Sequence, residues 1–203
     1  MEPDWLRVFK KRNPKADYDS KMFQGSMKRK LRESLLSEQK NICAYCCAEI
    51  DIDHSMNEHI EPRKLKNGHK SNKSLYYGNL VASCQGMKGE STCGDHKGNE
   101  YNEDMFVSPL DTACEGKFKY YADGVIEGLD DKAKYTIELL NLQSYKLRSA
   151  RKMIYRQLLD ITEGCPPDEM EDLIAQCFDT GEAERLYPFY NVIKWFVQNK
   201  VRT

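Results

Sequence analysis

Residues 43 to 99 hold most of the metal-ligand chemistry of this 203-residue chain. The window contains all four histidines of the protein and five of its eight cysteines, namely His54, His59, His69, His96, Cys43, Cys46, Cys47, Cys84 and Cys93. Thiolate and imidazole groups are common zinc ligands in proteins. Their concentration in less than a third of the chain predicts a module built around metal, and this constrains the rest of the fold.

The chain as a whole is polar, with 40% hydrophobic and 31% charged residues and a mean hydropathy of −0.74. Its length suits one domain, or a compact core with a smaller appendage. It has no apolar run near the ~20 residues that a membrane helix needs, and its first residues lack the pattern of a secretory signal. We therefore expect a cytoplasmic protein without a membrane partner, whose cysteines are reduced or bind zinc.

Charge is distributed unevenly along the chain, although the formal net charge is only −1. Residues 1–40 carry eleven Lys and Arg against six Asp and Glu, whereas residues 101–203 carry thirteen against eighteen. A basic front and an acidic tail suit a protein whose front meets phosphates. Two solvated faces would give the same counts, and charge alone favours that simpler interpretation.

The apolar spacing predicts several helices and one hairpin. Residues 1–19 show no clear period and are expected to form an irregular arm, whereas Met27, Leu31 and Leu35 predict a basic helix over 26–40. That helix could follow a nucleic-acid backbone or simply pack on the core. Later elements are a hairpin at 118–126 with an Asp-Gly turn, a long helix capped by Asp130 or Asp131 and broken near Asn141, an acidic helix at 168–178, and an aromatic helix at 187–196.

Cys43-Ala-Tyr-Cys46 can supply two thiolates to one zinc ion, which needs two more ligands from elsewhere. Cys84 and Cys93 are the obvious candidates and would complete a four-cysteine structural site. A redox role for the Cys-x-x-Cys motif would require a thioredoxin-like βαβ setting, which the following sequence lacks. The remaining cysteines are isolated and are expected to be small buried hydrophobic residues: Cys47, Cys114, Cys165 and Cys177.

Between the cysteine pairs, Glu58 and His59 can divide the work of a hydrolase. The carboxylate of Glu58 can hold a divalent cation, while the imidazole of His59 can remove a proton from water. Asn79 can hydrogen-bond either backbone groups or His59 itself. His96 lies where a helix is expected to begin, from which it could face Glu58. Each residue alone is a weak signal, but their order within the cysteine frame strengthens it.

Taken together, these motifs resemble the HNH endonuclease family with its zinc-stabilised ββα-metal fold. The motifs are Cys-x-x-Cys, Glu-His-Ile-x-Pro, Asn-Leu-Val-x-x-Cys and a closing Cys-x-x-His-Lys. The resemblance implies that Glu58 binds the catalytic metal, that His59 is the general base and that Asn79 braces it. Gly94 occupies the position that usually carries the third element, so this role passes to His96 or Asp95. Arg63, Lys64 and Lys97 are expected to contact nucleic acid.

A narrower resemblance covers about residues 31 to 145 and includes His59-Ile-Glu-Pro-Arg63 and Asn141-Leu-Gln. These segments are similar to the HNH subunit of Septu and retron-associated anti-phage systems. That likeness implies DNA as the substrate, with RNA not excluded, and an ATPase partner with an SMC/ABC-like head. It also implies a structural Zn²⁺ and a catalytic Mg²⁺ or Mn²⁺.

We therefore expect an α+β protein in three regions: a basic arm and helix at 1–40, an HNH module with structural zinc at 41–105, and a hairpin with acidic helices at 106–203. The aromatic residues of the last region, including Trp195 and Phe196, could cover the core or dock a partner. Two other functions stay open at this point. One is a non-catalytic zinc module that binds nucleic acid, and the other is an adaptor that serves only its partner.

Overall fold

The structure is a computed structural model that describes residues 1–65, 68, 71–87, 89–182 and 184–201. His69 lies outside the described residues. Seven helices and two short antiparallel strand pairs make up the described fold, which is compatible with the α+β class. The helices are α1 Asp4–Arg12, α2 Ser26–Glu38, α3 Cys93–Lys97, α4 Asp131–Leu139, α5 Tyr145–Thr162, α6 Met170–Cys177 and α7 Tyr190–Phe196. The strands are β1 Ser55–His59, β2 Leu80–Cys84, β3 Phe118–Tyr120 and β4 Ile126–Gly128.

The N-terminal arm is not irregular, because residues 4–12 form α1. Leu6 is fully buried, and the Phe9 ring packs 5.2 Å from that of Phe23. The Trp5 indole N–H donates to Ser34 Oγ in α2 at 3.2 Å. A helix this short is marginal alone in water, so tertiary contacts rather than sequence period stabilise it.

Helix α2 forms as predicted and ends at Glu38. Its apolar stripe of Leu31, Leu35 and Leu36 is buried. The chain leaves the helix through Lys40 and Asn41, which both have left-handed backbone conformations with φ of 51° and 61°.

Strands β1 and β2 pair antiparallel, with His59 opposite Leu80 and Ser55 opposite Cys84. All five residues of β2 are buried, because α2 and α3 both contact this strand. The Gln39 side chain, just after α2, donates to Ala82 O at 2.8 Å and accepts from Ala82 N at 2.7 Å. Two strands followed by α3 thus form a layered unit that carries His59 at the end of β1.

The region after the metal module matches its predicted outline. Asp123 and Gly124 lie in the turn between β3 and β4. Asp130 caps α4 by accepting a hydrogen bond from Ala133 N at 2.8 Å. The predicted break falls at Asn141, whose φ of 48° ends α4 before α5 begins.

The aromatic residues near the C-terminus pack inward. Phe196 is buried and meets the Tyr155 ring edge-on at 5.3 Å, and Trp195 lies 6.3 Å from Tyr120. Phe189 N donates to Cys47 O at 2.7 Å, so the tail returns to the cysteine module. These contacts favour the core-packing interpretation over partner docking for Phe196. None of the described helices has both the length and the apolar character needed to cross a bilayer.

Candidate active site

The four predicted zinc ligands come together. The sulfur atoms of Cys43, Cys46, Cys84 and Cys93 all lie within 4.8 Å of one another, and all four residues are buried. Cys46 Sγ and Cys84 Sγ are 3.9 Å apart, and Zn–S bonds of about 2.3 Å in a tetrahedron place sulfur atoms roughly 3.8 Å apart. Four thiolates leave no open position, so the residues fit a closed structural Zn²⁺ site.

Backbone hydrogen bonds hold the four cysteines of this cluster in place. Cys43 N donates to Ala48 O at 2.8 Å, which closes the turn that carries Cys43 and Cys46. Cys84 N donates to Cys43 Sγ at 3.3 Å. Burial acts to raise the pKa of Cys43, but hydrogen bonds from the other three thiols leave it well below its ordinary value. A lowered pKa favours the thiolate, which is the form that binds zinc.

The isolated cysteines are less buried than the sequence predicted. Cys47, Cys114 and Cys165 are only partly buried, and Cys177 is exposed. Burial nevertheless raises the pKa of Cys47 to about 12 and that of Cys114 to about 11, so both remain thiols at neutral pH. The prediction of a buried hydrophobic role is wrong for Cys177, which is exposed at the end of α6.

His59 is held as a neutral imidazole with a defined tautomer. Its residue is 6% exposed, and Nε2 lies 2.9 Å from the carbonyl oxygen of Ser74. A carbonyl can only accept, so Nε2 carries the hydrogen and Nδ1 carries the lone pair. Burial lowers the pKa of His59 to about 4, although the Ser74 carbonyl opposes this shift. The ring also meets the edge of Tyr18 at 4.7 Å.

Glu58 turns toward α3, where a glycine makes room for it. A Cβ atom at Gly94 would lie 2.8 Å from both Cδ and Oε2 of Glu58. Burial raises the pKa of Glu58, and the charge of Lys97 opposes this shift. Lys97 Nζ lies 2.8 Å from Glu58 Oε1. Oε1 nevertheless lacks an aligned hydrogen bond in the described part of the chain. The contact between Lys97 Nζ and Glu58 Oε1 is an ion pair between opposite charges.

Lys97 is an interior residue rather than a surface contact for nucleic acid. It is 1% exposed, and its ammonium donates to His59 O at 2.9 Å and Ile60 O at 3.2 Å. The nearby Glu58 carboxylate completes its surroundings. The predicted nucleic-acid contact is therefore corrected: Lys97 joins α3 to the end of β1 and is out of reach of a phosphate.

Asn79 braces the chain around His59 through the backbone. Its Oδ1 accepts from Glu61 N at 2.7 Å, and its Nδ2 donates to Glu61 O at 3.0 Å and Lys73 O at 3.3 Å. The sequence left open whether Asn79 bonds to backbone groups or to His59, and in the structure its side chain bonds to backbone groups. Asn79 thus fixes both ends of the loop that brings Ser74 to His59.

The two candidates for a third metal ligand take different positions. His96 Nδ1 donates to Leu139 O at 3.0 Å, at the end of α4. Asp95 borders the same cleft as Glu58 and His59, and it accepts a hydrogen bond from the Ser91 hydroxyl. Within the described ranges, the only group of three or more metal-binding side chains is the four-cysteine cluster. Glu58, Asp95 and His96 therefore do not form such a three-residue group among the described residues.

A cleft of about 800 Å³ opens beside β1. It contains His59 and Glu58 and is bordered by the predicted contacts Arg63 and Lys64. Sequence reasoning missed Tyr18, which lies in the N-terminal segment and touches His59. No local pattern indicates this contact, because Tyr18 is forty-one residues away in the chain.

Comparison with known proteins places this site in a family. No family model matches the chain. A candidate HNH endonuclease of retron Vc95 from Vibrio cholerae serotype O1 biovar El Tor is 30% identical over 153 residues, covering 71% of this chain and 72% of that protein. A candidate HNH endonuclease of retron Ec83 from Escherichia coli is 32% identical over 130 residues, covering 60% of this chain and 45% of that protein. The chain therefore belongs to the HNH endonuclease family, in the group associated with retrons.

Proposed function

We propose that the protein is a metal-dependent endonuclease that hydrolyses phosphodiester bonds in DNA, with β1, β2 and α3 acting as a ββα-metal unit. One observation carries the proposal: a neutral imidazole of fixed tautomer, His59, lies beside the carboxylate of Glu58 in an open cleft. Arg63 and Lys64 border that cleft and can bind backbone phosphates.

His59 is the proposed general base. Its pKa of about 4 keeps the ring neutral at pH 7, and Nδ1 is available to accept a proton from an attacking water. Once the ring is protonated, the hydrogen bond from Nε2 to the Ser74 carbonyl becomes charge-assisted and stabilises the imidazolium. Asn79 supports this step indirectly, because it holds the loop that carries Ser74.

A divalent ion such as Mg²⁺ or Mn²⁺, when bound, would stabilise the charge on the phosphate and on the leaving oxygen. Glu58 can fill this role, because its carboxylate borders the cleft, with Oε1 paired to Lys97. Asp95 supplies a second carboxylate at the same cleft, and both are hard oxygen ligands. His96 does not fit as well, because its ring faces the end of α4.

The structural Zn²⁺ site has a separate task. Cys43 and Cys46 precede β1, whereas Cys84 ends β2 and Cys93 begins α3. Zinc at these four residues would lock the strand pair onto the helix, so the cleft keeps its shape. A closed four-thiolate site has no position for substrate.

We further propose that the chain is the nuclease effector of an anti-phage complex with an ATPase subunit. The retron names of both relatives and the resemblance to Septu systems support this assignment. The alternatives are a non-catalytic zinc module that binds nucleic acid and an adaptor subunit. Co-expression with the product of an ATPase gene found beside it, followed by co-purification, tests the partner.

A cleavage assay separates the enzyme from both alternatives. The pure protein is incubated with plasmid DNA, and in parallel with RNA, with and without added Mn²⁺. We expect Mn²⁺-dependent DNA cleavage that His59→Ala abolishes while bound zinc is retained. His54→Ala is the matched control, because His54 is exposed and pairs with Asp51 outside the cleft. Cleavage by His59→Ala at the wild-type rate would refute the role of His59.

A further inference from the structure

Two cations lie over the ring of Tyr18, and one of them, Arg63, borders the cleft. Lys28 Nζ lies 4.2 Å from the centre of the Tyr18 ring, and Arg63 Cζ lies 4.9 Å from it. The same ring meets His59 edge-on at 4.7 Å. Both positive charges are therefore one aromatic ring away from the proposed general base, although Lys28 belongs to α2 and Arg63 to the loop after β1.

The acidic residue beside both cations is Asp19, which lies at the surface. Arg63 pairs with Asp19, whose side chain is 66% exposed. Lys28 has no ion pair with another described residue. Burial lowers the pKa of Lys28, the charge of Asp19 opposes this shift, and the charge of Arg63 adds a smaller lowering. A bound anion would relieve the repulsion between Lys28 and Arg63.

Asn57 holds this arrangement in place before any ligand arrives. Its Nδ2 donates to the Tyr18 hydroxyl at 3.1 Å and to Lys28 O at 2.9 Å. Its Oδ1 is buried, borders the cleft and has no partner among the described residues. Tyr18 N in turn donates to Ser74 Oγ at 3.3 Å, beside the carbonyl that orients His59. Loop, strand and helix thus share one network.

We propose that Lys28 and Arg63, positioned on the ring of Tyr18, bind a backbone phosphate of the nucleic-acid strand that is cut at His59. The ligand class is a phosphodiester, and binding there does not depend on base sequence. This inference rests on the proposed nuclease function and assigns part of its substrate path to α2. The basic helix then contributes one specific contact rather than a diffuse charged surface.

Binding measured without added divalent ion tests the site apart from cleavage. The full-length protein is titrated against a fluorescent single-stranded DNA, its duplex and the same sequence as RNA, over a series of salt concentrations. For Lys28→Met we expect Kd to rise roughly tenfold near ~0.1 M salt and the slope of log K against log salt to fall by about one. The preferred probe identifies which nucleic acid supplies the phosphate.

Lys30→Met is the matched control. Lys30 also lies on α2 and also stacks on an aromatic ring, 5.1 Å from the centre of Trp5. We expect Lys30→Met to bind as the wild type does. Each variant loses one cation–ring contact, so the two melting temperatures should fall by similar small amounts, and a difference in binding then reflects the phosphate contact rather than stability.

Three results would overturn the phosphate site. They are unchanged binding of all three probes by Lys28→Met, an equal loss in Lys30→Met, or no binding by the wild type. A protein that binds DNA through Lys28 but never cuts it with Mn²⁺ would refute the nuclease proposal and leave the phosphate site standing.

Discussion

Lys97 Nζ lies 2.8 Å from Glu58 Oε1, and this ion pair joins α3 to β1 in the interior of the protein. The same ammonium donates to the carbonyls of His59 and Ile60. One buried cation thus holds the Glu58 carboxylate and the backbone of His59, the proposed general base, in a fixed relation. Gly94, also on α3, has no side chain and so leaves room for the Glu58 carboxylate.

Lys97→Met should destabilise the fold, because it leaves the Glu58 charge buried and unpaired. We expect a loss of about 3–5 kcal/mol in the free energy of unfolding. Adding Glu58→Gln should recover part of it, since the double variant buries no lone charge. Lys134→Met, which breaks an exposed pair with Asp131, should cost under ~1 kcal/mol. Chemical denaturation measures all four proteins, and equal losses for the two lysines would contradict the role of Lys97.

Gly94→Ala should disturb the site through steric contact alone. The new methyl group would lie 2.8 Å from Glu58 Cδ, so the carboxylate must move. We expect a loss of about 1–3 kcal/mol in stability and a lower cleavage rate. Gly116→Ala is the control, since a Cβ atom there meets nothing within 4 Å. Wild-type stability and cleavage in Gly94→Ala would show that Glu58 is not confined.

Cys43→Ser should release zinc and unfold the module, because a structural zinc site supplies much of the folding free energy of a small module. Zinc content by mass spectrometry and a thermal melt measure the effect. Cys177→Ser is the control, because Cys177 is exposed and lies outside the cluster. Full zinc content in Cys43→Ser would rule out the four-cysteine site.

Acid should weaken the fold through His59. Its pKa falls from 6.5 in the unfolded chain to about 4 in the fold. Between these values the unfolded state binds a proton that the folded state does not, so stability falls as pH drops. At pH ~5 this lowers the free energy of unfolding by about 2 kcal/mol relative to neutral pH. Acid also protonates the zinc ligands, so the free energy of unfolding is measured for both the wild type and His59→Gln, and the two are compared. The His59→Gln protein should lose stability less steeply than the wild type from pH ~7 to ~5.

Asn79→Ala should loosen the loop that carries Ser74. The substitution removes the two hydrogen bonds between Asn79 and the Glu61 backbone, and losing such bonds costs about 1–3 kcal/mol for a buried polar group. Cleavage should fall while zinc content stays unchanged, because Asn79 does not touch the cysteine cluster. Asn72→Ala, in the same loop and at the edge of the cleft, is the comparison and should keep its stability. An Asn79→Ala protein as active as the wild type would argue against a bracing role.

The sequence by itself determined the parts of this protein that depend on local patterns. The helix at Ser26–Glu38, the Asp-Gly hairpin, the Asp130 cap and the break at Asn141 all follow from apolar period, capping or turn chemistry. The grouping of Cys43, Cys46, Cys84 and Cys93 also follows, because zinc chemistry needs four ligands and few other cysteines were suitable. These signals are carried by neighbouring residues or by residue type.

Only the tertiary structure decided how distant segments meet around His59. In the sequence Lys97 is indistinguishable from a surface lysine, and only the packing of α3 on the strand pair buries it. His96 lies next to it in sequence, yet the helical rotation between adjacent residues turns its ring to the end of α4. Tyr18 reaches His59 and Arg63 because the segment between α1 and α2 packs against the end of β1. Such contacts depend on packing between segments far apart in the chain, which local propensity does not encode.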